Sequence, residues 1–500
     1  MNRLMKKITT YILSALAVVS LVSCNKWLDI TPEDTTTEKQ LFSDAGGYHS
    51  AINGLYQSLA SSSLYGKNLT WGFASALSQD YDNASSSDGL EFSYVEKYEY
   101  GSDQVKAFGE QIWTSAYNVI ANANNILQHL EKADSALFPE AARGEIEMIE
   151  GEAIAVRALM HFDLLRLFAV SPVVDRNAKA IPYVTVYPEK FASRKTVQET
   201  LDAVEADLEK AAKLLMPSDS VGGYSSDFMS SVGNRFYASN SSRDFFFSAR
   251  GVRLNYVAIL SLLARIYLYE GDVENAYRCA KLVDDVFIKE NRWYVYTTFS
   301  DSDTEIYRPH KMMDELLVCF YNETLSTTYE NIFADHRGGS YKLKHLDGIF
   351  ADNDDYRLRK LVFNIDASAK ASLKYRERSG TSNSILVENR LLPVMRISEI
   401  HLIMAECLVR NGSVADAVKL LNNLRVSRGC MGNTLAETIS QEEAMQAIAT
   451  ETRRESVAEG QYFFYCKRTN AATIDNGGVY VPMEGKYTMQ IPDSEVSFLN

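Results

Sequence analysis

Cysteine is scarce in this 500-residue chain and never closely spaced. Its six copies are Cys24, Cys279, Cys319, Cys407, Cys430 and Cys466. None forms a CxxC, which excludes a zinc ribbon and a thiol redox motif. Basic clusters are missing too. Against 65 Asp plus Glu stand 51 Lys plus Arg, for a net charge of −14. Phosphate recognition needs clustered Lys and Arg, so a nucleic-acid partner is set aside. No HExxH, GxSxG, P-loop or GxGxxG occurs. The seven histidines show no metal-ligand pairing. Asp352-Asn353-Asp354-Asp355 starts like a calcium loop, but it lacks the Gly and the distal Glu and is read as a solvated turn. No catalytic residue, metal or cofactor is called for. A glycosidase would need only two carboxylates placed by the fold, which 65 acidic residues could supply, but no motif favours one.

Tyrosine is the residue in excess, at 29 copies beside 22 Phe and 4 Trp. Its apolar face and polar tip suit a wet binding surface, and equally suit helix packing. Cys279 and Cys407 sit among apolar helical residues and are expected to be small buried hydrophobes.

The N-terminus is specific. Arg3, Lys6 and Lys7 precede sixteen uncharged, mostly apolar residues, Ile8 to Ser23. At about 1.5 Å per residue these reach about 24 Å, short of the roughly 30 Å hydrocarbon core, so residues 1–23 read as a secretory signal rather than a membrane span. Leu21-Val22-Ser23-Cys24 has the form of a lipobox. Cleavage before Cys24 would leave it acylated, palmitate-like chains adding about 0.8 kcal/mol of membrane affinity per buried methylene. The competing reading is an ordinary signal with a chance cysteine. Removing residues 1–23 leaves 48 basic against 65 acidic residues, a charge of −17. Residues 24–40 include Thr31-Pro32-Glu33-Asp34-Thr35-Thr36-Thr37-Glu38, without apolar periodicity, and read as a flexible tether.

Beyond residue 40 the chain reads as helix pairs separated by irregular stretches. Three- and four-residue apolar spacing predicts helices over Phe108–Lys132, Glu140–Phe168 and Val197–Leu215, the last ended by Met216-Pro217. Two later segments share one spacing. Ala264 precedes Gly271 by seven residues and Ala276 follows by five; Ala405, Gly412 and Ala417 repeat the offsets. Such glycines can end one helix in the left-handed region, and Asp272 and Ser413 can cap the next. The pattern is that of tetratricopeptide-like helix pairs. The predicted fold is therefore mainly α, a scaffold of such pairs with long irregular loops and a few short strands. Residues 41–500 form one domain in this reading, with a loop-rich insertion around 297–389.

The order of several motifs resembles the SusD/RagB family over nearly the whole chain. Cys24-Asn25-Lys26-Trp27-Leu28-Asp29-Ile30-Thr31-Pro32 resembles its mature N-terminus, and Ile112-Trp113 through Tyr117 to Asn122 its first repeat helix. Glu152 through Arg157, Phe162, Asp163 and Arg166 to Phe168 is similar to its most recurrent helix, although Ala169-Val170-Ser171-Pro172 departs from the usual continuation. Gly251-Val252-Arg253 with Leu263 to Leu268, Arg396 to Glu406, and Leu421 to Arg425 match later signatures. Glu451 to Glu455, Glu459-Gly460 and Arg468 resemble the late acidic-basic motif, with Tyr462 and Tyr465 where Arg and Asp are usual; Gln490-Ile491-Pro492 resembles the closing segment. Arg157, Asp163 and Arg166 are read as structural ion pairs, the last two at i,i+3 spacing.

The resemblance implies a nutrient-binding lipoprotein on the surface of the outer membrane in Bacteroidota. It implies a partner, a SusC-like TonB-dependent transporter over which the protein acts as a lid, a glycan or oligosaccharide ligand, and no catalysis. A peptide ligand in the same family is the alternative, followed by a lipid-anchored glycoside hydrolase or a pure tetratricopeptide scaffold. For a glycan, the candidate contacts are Trp71, Asp80 and Tyr81 in the N-terminal irregular region, and Trp293, Tyr294 and Tyr296 near the central insertion. The anchor is directly testable: Cys24→Ser is expected to abolish fatty-acid labelling and release the protein from the membrane fraction. Undiminished labelling would remove the lipobox reading.

Overall fold

Side-chain caps in the sequence set where most of the long helices begin. The computed structural model describes residues 37–83, 90–189, 191–237, 245–300, 308–334, 337–344, 346–367, 369–474, 480–481, 483 and 485–496. The signal, Cys24 and most of the tether lie outside these residues. Asp44 accepts the Gly47 amide to start α1, Ala45–Leu59. Ser102 does the same for α2, Asp103–Leu130, five residues earlier than apolar spacing predicted. α3, Glu145–Phe168, starts later than predicted. Gly144, at φ 85°, turns the chain after a 3₁₀ turn at Ala141–Arg143, so Pro139 stays outside the helix.

α3 is the centre of the N-terminal half. Every residue from Gly151 to Phe168 is buried, with α1, α2 and α4 (Val197–Asp219) packed around it. A Cβ at Gly151 would lie 2.9 Å from Leu215 Cγ, so this crossing depends on the bare backbone. α4 opens on a Thr196/Glu199 capping box and runs through Pro217 to Asp219, beyond its predicted end. Pro217 lies in the final turn, and Arg250 grips the Asp219 carboxylate at 2.6 and 3.1 Å, fixing that turn from outside.

The two repeats form as their spacing predicted, with one difference. α5, Tyr256–Glu270, ends at Gly271 with φ 100°, and the Asp272 side chain caps α6, Val273–Leu282. The chain then continues as a π-helical stretch, Val283–Glu290. α7, Ile397–Arg410, turns through Gly412 at φ 83° into α8, Val414–Ser427. Ser413 makes no side-chain cap; its amide instead donates to Leu408 O at 2.8 Å, closing the turn from the preceding helix. Ala264, Ala276, Ala405 and Ala417 are all fully buried where the paired helices approach. α9, Gln441–Glu455, and α10, Gln461–Thr469, complete the body.

The strands are short antiparallel pairs. β1 (Lys179–Pro182) pairs with β2 (Arg194–Thr196), β3 (Leu316–Tyr321) with β6 (Leu391–Arg396), and β4 (Val362–Asn364) with β5 (Lys370–Ser372). β7 (Thr473–Ile474) pairs with β8 (Tyr480–Val481). β3 and β6 bracket the chain from 322 to 390, and β6 feeds directly into α7. That excursion carries the ten-residue helix Leu325–Ala334 and shorter helical turns. One hydrophobic core runs from Phe42 to Met489, and a smaller one lies between α7, α8 and α9.

Polar burial ties the segments together. Lys467 on α10 is fully buried and donates to the carbonyls of Arg166, Ala169 and Tyr487, each at 2.6 Å, which closes the C-terminal end of α3. Arg157 pairs with Asp207 on α4 at 2.7 Å, and Arg166 with Asp163. The five cysteines after Cys24 are buried thiols, with no disulfide among the described residues. Asp355, expected in a solvated turn, is instead fully buried, where it grips Arg357 at 2.6 and 3.0 Å.

Arg428 is enclosed completely and bridges Glu315 (2.7 Å) and Glu455 (2.8 Å). Burial alone would raise Glu455, but Arg428, Arg357 and Arg396 hold its carboxyl well below the usual range. Arg428→Met is expected to cost about 3–5 kcal/mol, because two buried carboxylates lose their shared cation. Urea denaturation measures this; a loss below about 1 kcal/mol would show that the network is not a structural hub.

Candidate functional site

The six residues nominated as ligand contacts form two clusters, buried except for Tyr296. Trp71 is fully buried, with Tyr329 edge-on at 5.2 Å, Tyr341 at 5.5 Å and Tyr375 at 5.7 Å. Tyr81 donates its hydroxyl to the Trp71 carbonyl at 2.5 Å, and its backbone bridges to Leu343. Asp80 accepts the Ala458 amide at 3.0 Å. This corrects the expectation of ring faces offered to a sugar: the Trp71 ring is fully buried against residues about 260 and 300 positions away, and it packs the N-terminal loops onto the central excursion.

The second cluster behaves alike. The Trp293 ring packs 5.1 Å from Phe287, and its carbonyl accepts the Arg235 guanidinium. That guanidinium lies 4.2 Å above the buried Tyr294 ring. Tyr296 is half-buried; its hydroxyl meets His401 Nδ1 at 2.6 Å and Arg428 lies over its ring at 5.2 Å. The two clusters therefore do not converge on one site. Tyr462 and Tyr465 place their rings under Arg453 at 5.1 Å and Arg468 at 4.9 Å, and Arg468 keeps an ion pair with Glu406.

An open surface lies elsewhere. A groove of about 710 Å³ runs between α2, α3 and α4 and the hairpin that links β1 to β2. Leu127, Leu130 and Ile154 line its apolar part; Gln128, Lys132 and Tyr187 supply amide, ammonium and phenol groups. That mixture and volume suit a small polar ligand with one apolar face. Lys210 and Glu150 face each other at 2.7 Å in the same groove.

The hairpin owes its position to polar side chains of α2 and α3. Asn124 donates to Val184 O at 3.0 Å and accepts from Arg157 at 3.0 Å. Tyr117 donates to Pro182 O at 2.8 Å. His161 Nδ1 lies 2.9 Å from Arg157 O and must donate to it, leaving Nε2 to accept the Val184 amide at 3.0 Å. That pattern requires neutral imidazole, and burial with nearby Arg157 brings its pKa down to about 3. The Tyr183 ring stacks on the imidazole at 3.9 Å. Sequence reasoning did not single out Tyr187 or His161. The available signal was the extended, Pro-containing run 182–195, preceded by a helix that carries a polar His161 within its apolar face. Among the described residues, no group of three or more His, Cys, Asp or Glu is placed to hold a metal ion.

A family model described as "Starch-binding associating with outer membrane" matches residues 26–229, and the SusD family model matches 356–495. The chain belongs to the SusD/RagB family. The first match holds α1 to α4 and the whole groove, and the second holds α7 to α10. This SusD/RagB chain is 26% identical over 205 residues to SusD-like protein P2 of Formosa agariphila, covering 40% of the chain and 36% of that relative. It thus spans about a third of the curated relative's length. Among solved structures it is similar to a putative sugar binding protein of Bacteroides vulgatus, with TM-score 0.69 and 20% identity over 91% of this chain and 97% of that one. It is also similar to a SusD superfamily protein of Bacteroides thetaiotaomicron, with TM-score 0.66 and 21% identity over 91% and 98%. These likenesses confirm the helical, tetratricopeptide-like fold.

Asp80 yields a pH test. Burial, opposed by Arg453 and the Ala458 amide, lifts its carboxyl from 3.8 to about 6. The folded state therefore favours the protonated acid, and this contribution is full below 3.8 and lost as pH rises through about 6. Asp80→Asn keeps an acceptor for the Ala458 amide without ionising. Relative to the parent, it is expected to gain on the order of 3 kcal/mol between about pH 3.5 and about pH 7.5. Parallel urea titrations check it, and a difference that does not change with pH would refute it.

Proposed function

We propose that this protein is a lipid-anchored, surface-exposed carbohydrate-binding protein of the outer membrane. It holds an oligosaccharide and acts as a lid over a SusC-like TonB-dependent transporter, which takes the ligand inward. The match of residues 26–229 to a family described as starch-binding carries this reading, because that segment contains the groove and the side chains that frame it. The lipobox at Cys24 and the likeness to a sugar binding protein of Bacteroides vulgatus support it.

The chemistry of the groove agrees with a sugar. Tyr187 supplies a ring face, and Gln128 and Lys132 supply donors for hydroxyls. Trp71, Asp80 and Trp293 contribute at one remove, by holding the loops in register from beneath. The role is binding and delivery, not bond cleavage.

Calorimetry against a panel of starch, other polysaccharides and peptides tests the ligand class. Tyr187→Ala is expected to weaken glycan binding about tenfold while lowering the melting temperature by no more than a few degrees, since the residue is only half-buried. Binding confined to peptides would overturn the glycan assignment. Purification of the tagged chain from outer membranes without any TonB-dependent transporter would overturn the lid.

A further inference from the structure

A second groove, of about 580 Å³, lies between α1 and α2, on the opposite face of α2 from the first. Leu41, Leu55 and Ile126 form its apolar part, and Gln57, Asn122 and Asn125 stand at its sides with their amide groups. The described residues that line it include no charged side chain. None of the three side-chain amides has a hydrogen-bond partner among the described residues. A Cβ added at Gly54 would meet nothing within 4 Å, so α1 leaves the crevice open.

The chain enters the body beside this groove. Thr37 caps the short helix Glu38–Leu41, Glu38 meets His129 of α2 at 3.1 Å, and Phe42 stacks on the same ring at 4.2 Å. Apart from Pro32, the apolar side chains of residues 25–36 are Trp27, Leu28 and Ile30. The seven steps from Ile30 to Thr37 extend to about 23 Å, and the fifteen residues of α1 measure about 22 Å. The length of α1 is therefore within reach of this apolar run.

The groove suits an extended peptide. In extended backbone Leu28 and Ile30 point to one face and Asp29 to the other. The segment thus offers an apolar edge to an uncharged groove and keeps its carboxylate in water. Its backbone N–H and C=O groups need partners, and each side-chain amide supplies both an acceptor and a donor. An oligosaccharide pairs with amides equally well, but only the N-terminal segment is joined to the site. A short connection holds it there at an effective concentration in about the millimolar range, so modest contacts suffice.

We propose that the groove between α1 and α2 holds this chain's own N-terminal segment, with Leu28 and Ile30 seated on Leu55 and Ile126. Cys24 then lies four residues from the first seated side chain, about 14 Å at full stretch, so α1 and α2 face the membrane on a short stalk. That consequence rests on the lipid anchor proposed above; the docking does not.

Peptide-resolved hydrogen exchange on the full mature chain and on its Cys24→Ser form tests the docking. Relative to their unprotected rates, residues 28–31 are expected to exchange about tenfold slower in both, while residues 33–36 are not slowed. Gly54→Phe fills the groove from α1 and should return residues 28–31 to the unprotected rate. Ile30→Cys with Gly54→Cys should close a disulfide found by peptide mapping, whereas Ile30→Cys with Glu131→Cys, on the other face of α2, should not. Unprotected exchange at 28–31 in the parent would overturn the proposal, as would protection that survives Gly54→Phe. Sugar found in this groove in crystals soaked with maltoheptaose would overturn it too, giving the groove to a ligand. Should Gly54→Phe not fold, the disulfide pairs decide.

Discussion

A buried guanidinium must be met by carboxylates or carbonyls, and this one electrostatic constraint dictates how the irregular segments sit on the helices. Arg250 is enclosed between Asp219 at the end of α4 and Glu152 in the middle of α3. Arg253 and the Tyr56 hydroxyl converge on the same Glu152, at 2.8 and 2.7 Å. Arg428 repeats the arrangement with Glu315 and Glu455. Each bridge joins residues tens to hundreds of positions apart. Apolar burial supplies most of the folding free energy but is nondirectional, whereas these bidentate contacts accept one geometry. They select the register in which the excursion after β3 returns to the body.

The surface groove depends on the same logic at smaller scale. α2 and α3 form its wall, and the hairpin after β1 is fastened to them by Asn124, Tyr117 and His161 through backbone bonds. These bonds run through backbone groups of the hairpin, and the Tyr183 hydroxyl adds a bond to the Asp207 carboxylate on α4 at 2.6 Å. Groove-lining side chains such as Tyr187 are then free to vary without disturbing what holds the loop. A helical scaffold with a loop fastened from below is suited to binding many ligand chemistries on one fold.

Much of the fold was legible in the chain because it rests on local physics. Apolar spacing placed α2, α3 and α4, and the repeated Ala–Gly–Ala offsets located both helix turns, Gly271 and Gly412. Errors arose where a distant residue intervened. α4 outran Pro217 under the grip of Arg250, and Asp355 left solvent with Arg357, which Glu451 and Glu455 hold from nearly a hundred positions away. Ser413 kept its position but lost its expected cap, since the turn was already closed by its own amide.

The candidate site was less legible for the same reason. Aromatic content drew attention to Trp71 and Trp293, yet an aromatic ring in a loop reads alike whether it faces solvent or Tyr329 and Phe287. By itself the sequence determined the helix periods, the turns, the family motifs and the lipobox-like run ending at Cys24, all properties of neighbouring residues or of their order. Only the tertiary structure decided which rings are covered, which hairpin frames a groove, and which carboxylates meet each buried guanidinium group. Those outcomes depend on which remote segments share a surface, and no local pattern along the chain encodes that adjacency.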